Sequence, residues 1–287
     1  MFDNFTVLIP IKNEPERIIP LLDNFSNANV IVLLDPADTK TEVILKARSA
    51  KYIKRPLIFD EIGQPERTKW ALEQSSTDYV LIAFASFYVP IQLLKVFDEV
   101  SREGHYDGVV HSTLPVSHGE YVQEPWILKK PSACYFFRRS RVNIASAAMH
   151  NEFPLKQNKN LLKLKCTREY SVHVFRDDDA IVLSAKHTQY AEQEASEKLP
   201  TAKRVTVPAL IWSPIRAFLI GYIRLGGFRA GVPGLIYHLH YAWLQFLVYS
   251  RLWEMQNSKC FPDNRTNHIE IRNMLLARDK QNDTESS

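Results

Sequence analysis

Cysteine is scarce in this chain of 287 residues: Cys134, Cys166 and Cys260 stand far apart, with no CxxC spacing. Neither a disulfide framework nor a zinc site built on thiolates is expected, and unpaired thiols suit a reducing compartment. Compact runs of Lys and Arg are also missing. The net charge is only +4, too mild and too dispersed to point at nucleic acid. No internal repeat or low-complexity tract occurs, and 45% hydrophobic with 24% charged residues is globular composition, which argues against disorder. Met1-Phe2-Asp3-Asn4 leads at once into an apolar run. No signal peptide is therefore expected, and the expected compartment is the cytoplasm.

What is present is a strand–helix alternation. Thr6-Val7-Leu8-Ile9-Pro10-Ile11 and Ile31-Val32-Leu33-Leu34 are apolar runs of strand length, each ending abruptly in polar residues, Lys12-Asn13-Glu14 and Asp35. Ligands of open α/β sheets bind at the carboxyl ends of strands, so strand, polar loop, helix, strand, Asp reads as a nucleotide-binding half. The pattern predicts strands at 5–11, 30–34, 57–59 and 78–84, with helices at 15–26, 39–50, 65–75 and 90–102. Pro15 suits a first helical turn, and Thr39-Lys40-Thr41-Glu42 has capping-box spacing. Such alternation argues for a mostly parallel sheet covered by helices.

The middle of the chain changes character. Segments 107–112, 121–128, 132–138, 161–166 and 170–175 are short and rich in β-branched or aromatic residues, suiting antiparallel strands around an acceptor cleft. Helical patterns then occupy 179–198, 213–226 and 231–254, before a polar tail beyond 278. No charged residue lies between Arg229 and Arg251. His238, His240, Gln245 and Pro233 interrupt that stretch, so a helix pair lying in a membrane surface fits it better than a span. A helical hairpin packed on its own domain fits equally well. The expected division is a domain at 1–200, a helical segment at 201–278 and a disordered tail at 279–287.

Several segments, in order, carry a resemblance: TVLIPIKNEPERI at 6–18, IVLLDPADTKTEVI at 31–44, GQPERTKWALEQSSTDYVL at 63–81, YFFRRSR at 135–141, QYAEQEASEK at 189–198 and YIRLGGFRAGVPGLIYHLHYAWLQFLVY at 222–249. Taken together the chain resembles family 2 glycosyltransferases of the GT-A fold, and within them the lipopolysaccharide core glycosyltransferases. The resemblance implies an α/β fold with a mostly parallel central sheet that binds a nucleotide-sugar, plus a C-terminal helical segment. It implies inverting transfer of a sugar from a nucleotide-sugar donor to a saccharide or glycolipid acceptor, at the inner face of the cytoplasmic membrane.

Residue by residue, the resemblance places Pro10, Lys12, Glu14 and Asp35 at the uracil and ribose, and Gly63, Gln64 and Arg67 in the loop and helix beside the donor. Each keeps a plainer reading. Asp35 could cap the turn before residue 39, Glu14 could serve the helix dipole, and Arg67 could be an ordinary helical Arg. Glu152 is implied as the general base, with His150 contacting donor or phosphate. A structural role is the plainer reading of His150 and is favoured for His173. The family's Asp-X-Asp is replaced by Phe84-Ala85-Ser86. The family's Mg²⁺ or Mn²⁺ needs oxygen-rich ligands, and of these three only Ser86 offers a side-chain hydroxyl. Basic groups are then expected to replace the cation, with Arg67, Arg138 and Arg139 as candidates; otherwise transfer has been lost. Asp177-Asp178-Asp179 reads as a turn and helix N-cap. An Asp of the family's glycine-rich turn is Ala230 here. The alternative is a catalytically silent GT-A-like protein that binds nucleotide, glycan or a partner.

Overall fold

Apolar runs without alternation become strands covered on both faces. The computed structural model describes residues 2–57, 64–123, 133–147, 153–157, 159–175, 180–257 and 269–275. The first half carries β1 (Phe2–Ile11), α1 (Pro15–Asn24), β2 (Ala28–Leu34), α2 (Thr39–Ala47), β3 (Tyr52–Lys54), α3 (Gln64–Glu73), β4 (Tyr79–Ile82), β5 (Phe87–Tyr88) and α4 (Ile91–Glu103). There follow β6 (Gly108–Ser117), β7 (Glu120–Tyr121), β8 (Ala133–Arg138), β9 (Leu161–Lys163) and β10 (Ser171–Phe175). The helices α5 (Ala180–Lys198), α6 (Val207–Phe218) and α7 (Gly231–Gln256) complete it. The fold is α/β.

The main sheet runs β3-β2-β1-β4-β8-β6-β10-β5, with β7 and β9 also on β6. Strands β1 to β4 are mutually parallel. β1 pairs with β2 on one side, Leu8 opposite Ile31, and with β4 on the other, Leu8 opposite Ile82. The winding therefore reverses between β1 and β4. Pleating sorts the side chains of these strands onto two faces. Phe5, Val7, Ile9, Val32, Leu34 and Leu81 pack with Ile18 and Leu21 of α1, Leu45 of α2 and Phe97 of α4. Leu8, Ile31, Leu33, Val80 and Ile82 pack with Ala71 and Leu72 of α3 on the other.

Four expectations need correction. The third strand is Tyr52–Lys54, registered on Val32–Leu34, instead of 57–59; after Pro56, Leu57 is 87% exposed, and 58–59 lie outside the described residues. The expected antiparallel middle is mixed, because β9 and β10 run parallel to successive stretches of the long β6, Gly108–Val110 and Ser112–Val116. The helix expected at 213 begins at Val207, where the extended backbone of Thr206 and a Pro in the first turn set its start. It continues past Pro214 into a π-type stretch at Leu219–Arg224. Finally, α2 is capped by Asp38, whose Oδ1 accepts the Thr41 N–H at 3.1 Å, while Glu42 pairs with Lys54 at 2.7 Å and Lys46 at 3.0 Å instead of closing a capping box.

The chain divides into two compact units, residues 1–180 with 220–238, and 181–219 with 239–287. In the second, Ala191 and Ala195 of α5 meet Leu244, Val248 and Leu252 of α7. Arg251 grips Glu192 through Nε at 2.5 Å and Nη2 at 3.0 Å. No helix among the described residues is long and apolar enough to cross a membrane.

Candidate functional site

The carboxyl ends of β1 and β2 lie side by side, Ile11 opposite Leu34, and the polar residues after them converge. The Asp35 N–H donates to the Ile11 carbonyl at 3.1 Å, which fixes Asp35 at the sheet's edge. Its Oδ1 accepts the Ala37 N–H at 3.0 Å. Its Oδ2 meets the Arg55 guanidinium and lies 3.5 Å from Lys12 Nζ. Burial would raise the Asp35 carboxyl, but the Ala37 N–H, Arg55 and Lys12 outweigh it and hold the group below its ordinary range. Asp35 is thus an anion at neutral pH, nearly buried, while the Lys12 side chain is 55% exposed.

The loop after β1 is tied to the same place. Asn13 adopts a left-handed backbone, φ +56°, which Asn tolerates better than most residues. Its N–H donates to Asp38 Oδ2 at 2.7 Å, so one carboxylate holds both this loop and the start of α2. Pro10, half-buried, is the last β1 position but one. Glu14 stands at the N-cap position of α1 without a side-chain cap, 3.6 Å from Arg17.

Arg55 and Asp38 escaped the sequence reading. Asp38 carried a findable signal, an Asp three residues before Thr41 at a helix start. Arg55 carried none: it reaches Asp35 only because its N–H donates to the Leu34 carbonyl at 2.9 Å, which follows from β3 pairing with β2.

Other expected residues do not join this cluster. Arg138 pairs in register with Tyr79, at the opposite, amino end of β4. Its Nη2 donates to the Tyr79 hydroxyl at 2.9 Å and the Gly104 carbonyl at 2.8 Å. Arg139 donates to the Ser75 carbonyl at 2.6 Å, beyond the end of α3. Both arginines tie loops at the far edge of the sheet, away from Asp35. Arg67 is half-buried on α3 and Gln64 opens that helix. Gly63, His150, Glu152 and Asp177–Asp179 lie outside the described residues. His173 is held on both sides, by the Tyr121 hydroxyl and the Arg168 carbonyl, each at 2.8 Å.

The turn after β4 is packed. Phe84 and Phe87 meet edge to face with centroids 5.2 Å apart, and both contact Tyr135, at 6.1 and 5.0 Å. The Phe87 N–H closes the turn on the Phe84 carbonyl at 2.9 Å, and the Ser86 carbonyl accepts the Phe175 N–H at 2.7 Å. A half-buried hydroxyl at Ser86 is the one side-chain oxygen this turn offers, a donor set that does not suit Mg²⁺ or Mn²⁺. Among the described residues no group of three or more His, Cys, Asp or Glu side chains is arranged to hold a metal.

No family model matches the chain, and no curated protein matches it. Among solved structures, glucosyl-3-phosphoglycerate synthase from Mycobacterium tuberculosis in complex with Mg²⁺ and uridine diphosphate (UDP) is 18% identical, over 67% of this chain and 78% of that one, with TM-score 0.42. The complex of that synthase with Mn²⁺, UDP-glucose and phosphoglyceric acid aligns over 48% of this chain and 57% of that one, at 18% identity and TM-score 0.34. The 1–349 segment of S. aureus TarS in complex with UDP is 14% identical, over 88% of this chain and 91% of that one, with TM-score 0.43.

Proposed function

We propose that this chain is a GT-A-type glycosyltransferase that takes its sugar from a nucleotide-sugar donor bound at the tips of β1 and β2. The observation that carries the reading is the Lys12–Asp35–Arg55 cluster, set beside the reversal of winding between β1 and β4. An open α/β sheet opens its crevice at such a reversal, outside the carboxyl ends of the strands. Asp35, kept ionised by its two cations, can accept a hydrogen bond from a base N–H or a ribose hydroxyl. Lys12, the exposed cation of the cluster, would meet a diphosphate. The proposed acceptor is a saccharide or glycolipid of the lipopolysaccharide kind. Its hydroxyl oxygen would bond to the anomeric carbon as the nucleoside diphosphate leaves with the bonding pair, and Glu152 would take the hydroxyl proton, with His150 at the donor. No step is routed through a divalent cation, because the turn at Phe84-Ala85-Ser86 lacks the carboxylates to hold one. Cationic side chains would meet the leaving charge instead.

The test is calorimetric titration of the full chain with UDP and UDP-sugars in the presence of EDTA. UDP is expected to bind. Asp35→Asn should weaken it by about ten-fold or more, roughly 1.4 kcal/mol, and Lys12→Ala should weaken UDP more than uridine. Absence of binding by every nucleotide tried would overturn the proposal. The aromatic packing of the turn after β4 favours a second reading, a silent relative that binds the nucleotide without transfer. Binding with no release of sugar to any acceptor or to water would select it.

A further inference from the structure

The outward face of α6 is apolar. Val207, Ile211, Trp212, Ile215 and Leu219 are 66, 59, 58, 44 and 39% exposed. Their spacing of i, i+4, i+5, i+8 and i+12 gathers them into one stripe, while Ala209 and Leu210 point the other way, into the cluster of Ala195, Val205 and Leu252. Such a stripe on an exposed helix marks an interaction surface. Its charge setting says which kind. From Lys198 to Trp253 the chain has seven Lys or Arg residues and no Asp or Glu. Lys198 and Arg251 are paired to Glu194 and to Glu192 and Glu254. Lys203, Arg204 and Arg216, which flank or border the stripe, are exposed. Among the described residues none of these three has a carboxylate within ion-pairing distance.

We propose that α6 lies in the plane of an anionic lipid surface, with Trp212 and its aliphatic neighbours in the headgroup–acyl boundary and Lys203, Arg204 and Arg216 on lipid phosphates. Apolar face, aromatic anchor and one-signed basic border are what an interfacial helix requires. A second copy of the chain fits less well, since pairing this face with itself would bring like charges together. The proposal stands on α6 alone and is independent of nucleotide binding, so the two can fail separately.

The experiment is co-sedimentation of the full chain with vesicles of phosphatidylcholine alone or of equal parts phosphatidylcholine and phosphatidylglycerol. Binding is expected to the anionic vesicles, to fall with added salt, and to be weakened about ten-fold or more by Trp212→Ser. Arg216→Glu should weaken it on the order of 20-fold. Arg216 is exposed, so this variant keeps the test valid even if Trp212→Ser unfolds the chain. Equal retention on neutral vesicles, no retention, or indifference to both substitutions would overturn the proposal. Concentration-dependent dimerisation that Trp212→Ser abolishes would also overturn it, assigning the face to a second copy.

Discussion

At the scale of single residues, the cluster at the strand tips is defined by who shares the Asp35 carboxylate. Arg55 and Asp35 are nearly buried, with side chains 12 and 8% exposed. Removing the guanidinium strands a charge that burial already disfavours. Arg55→Ala is expected to cost about 2–3 kcal/mol, less than a fully buried pair because Lys12 and the Ala37 N–H remain. Urea unfolding measures it. Arg55→Lys should recover only part of the loss, since a point charge cannot reproduce the guanidinium's planar geometry. The same variants separate support from recognition. Arg55→Ala should loosen Asp35 and weaken UDP, whereas Arg138→Ala, at the other end of β4, should lower stability and leave UDP affinity unchanged.

At the scale of elements, the glycine-rich turn before α7 shows packing that composition conceals. A Cβ at Gly221 or Gly227 would fall 2.2–2.3 Å from the His238 ring, and one at Gly234 would fall 1.9 Å from the Gly227 carbonyl. Gly227→Ala should therefore destabilise by about 2 kcal/mol or more, read as a lowered Tm. A His238→Ala background should restore much of it, because the clash is with that ring. Gly234→Ala has backbone as its obstacle and should not be rescued. Much of this level was legible beforehand. The apolar runs at 6–11, 31–34 and 79–82 declared themselves because a strand covered on both faces admits no polar alternation. The direction of β9 and β10 was not legible, since pairing with β6 is decided between segments some 50 residues apart. The start of α6 lies six residues ahead of the expected 213, with Pro208 in its first turn, where a proline costs no backbone hydrogen bond. Of the candidate site, Asp35 and Lys12 could be read from the polar residues that end each strand. For Arg138 and Arg139 the position was not legible: an arginine pair at a strand end does not reveal which end of its neighbour it meets until the register is known.

For the whole molecule, acid should act in one direction. Burial pushes His111 down to about 4 from its ordinary 6.5, and burial also lowers His173 and His238. A histidine that resists protonation when folded leaves the unfolded chain binding more protons. Stability is therefore full above about pH 6.5 and declines as pH falls toward 4. His111 alone should account for on the order of 3 kcal/mol across that window. Below it, Glu42, held to about 2 by hydrogen bonds from Lys54, Lys46 and Tyr52, adds a further loss as it protonates. Urea midpoints measured between pH 7 and pH 4 should fall steadily, and His111→Phe should flatten the slope. An unchanged slope in that variant would show that His111 is not the proton acceptor.

The aromatic turn at Phe84 also bears on what could be built there. Placing a carboxylate at that position would set an anion among Phe87, Tyr135 and two hydrophobic clusters, against several kcal/mol of lost solvation. Phe84→Asp would therefore damage folding well before it could recruit a cation, and positive charge would enter this region more readily as an exposed arginine.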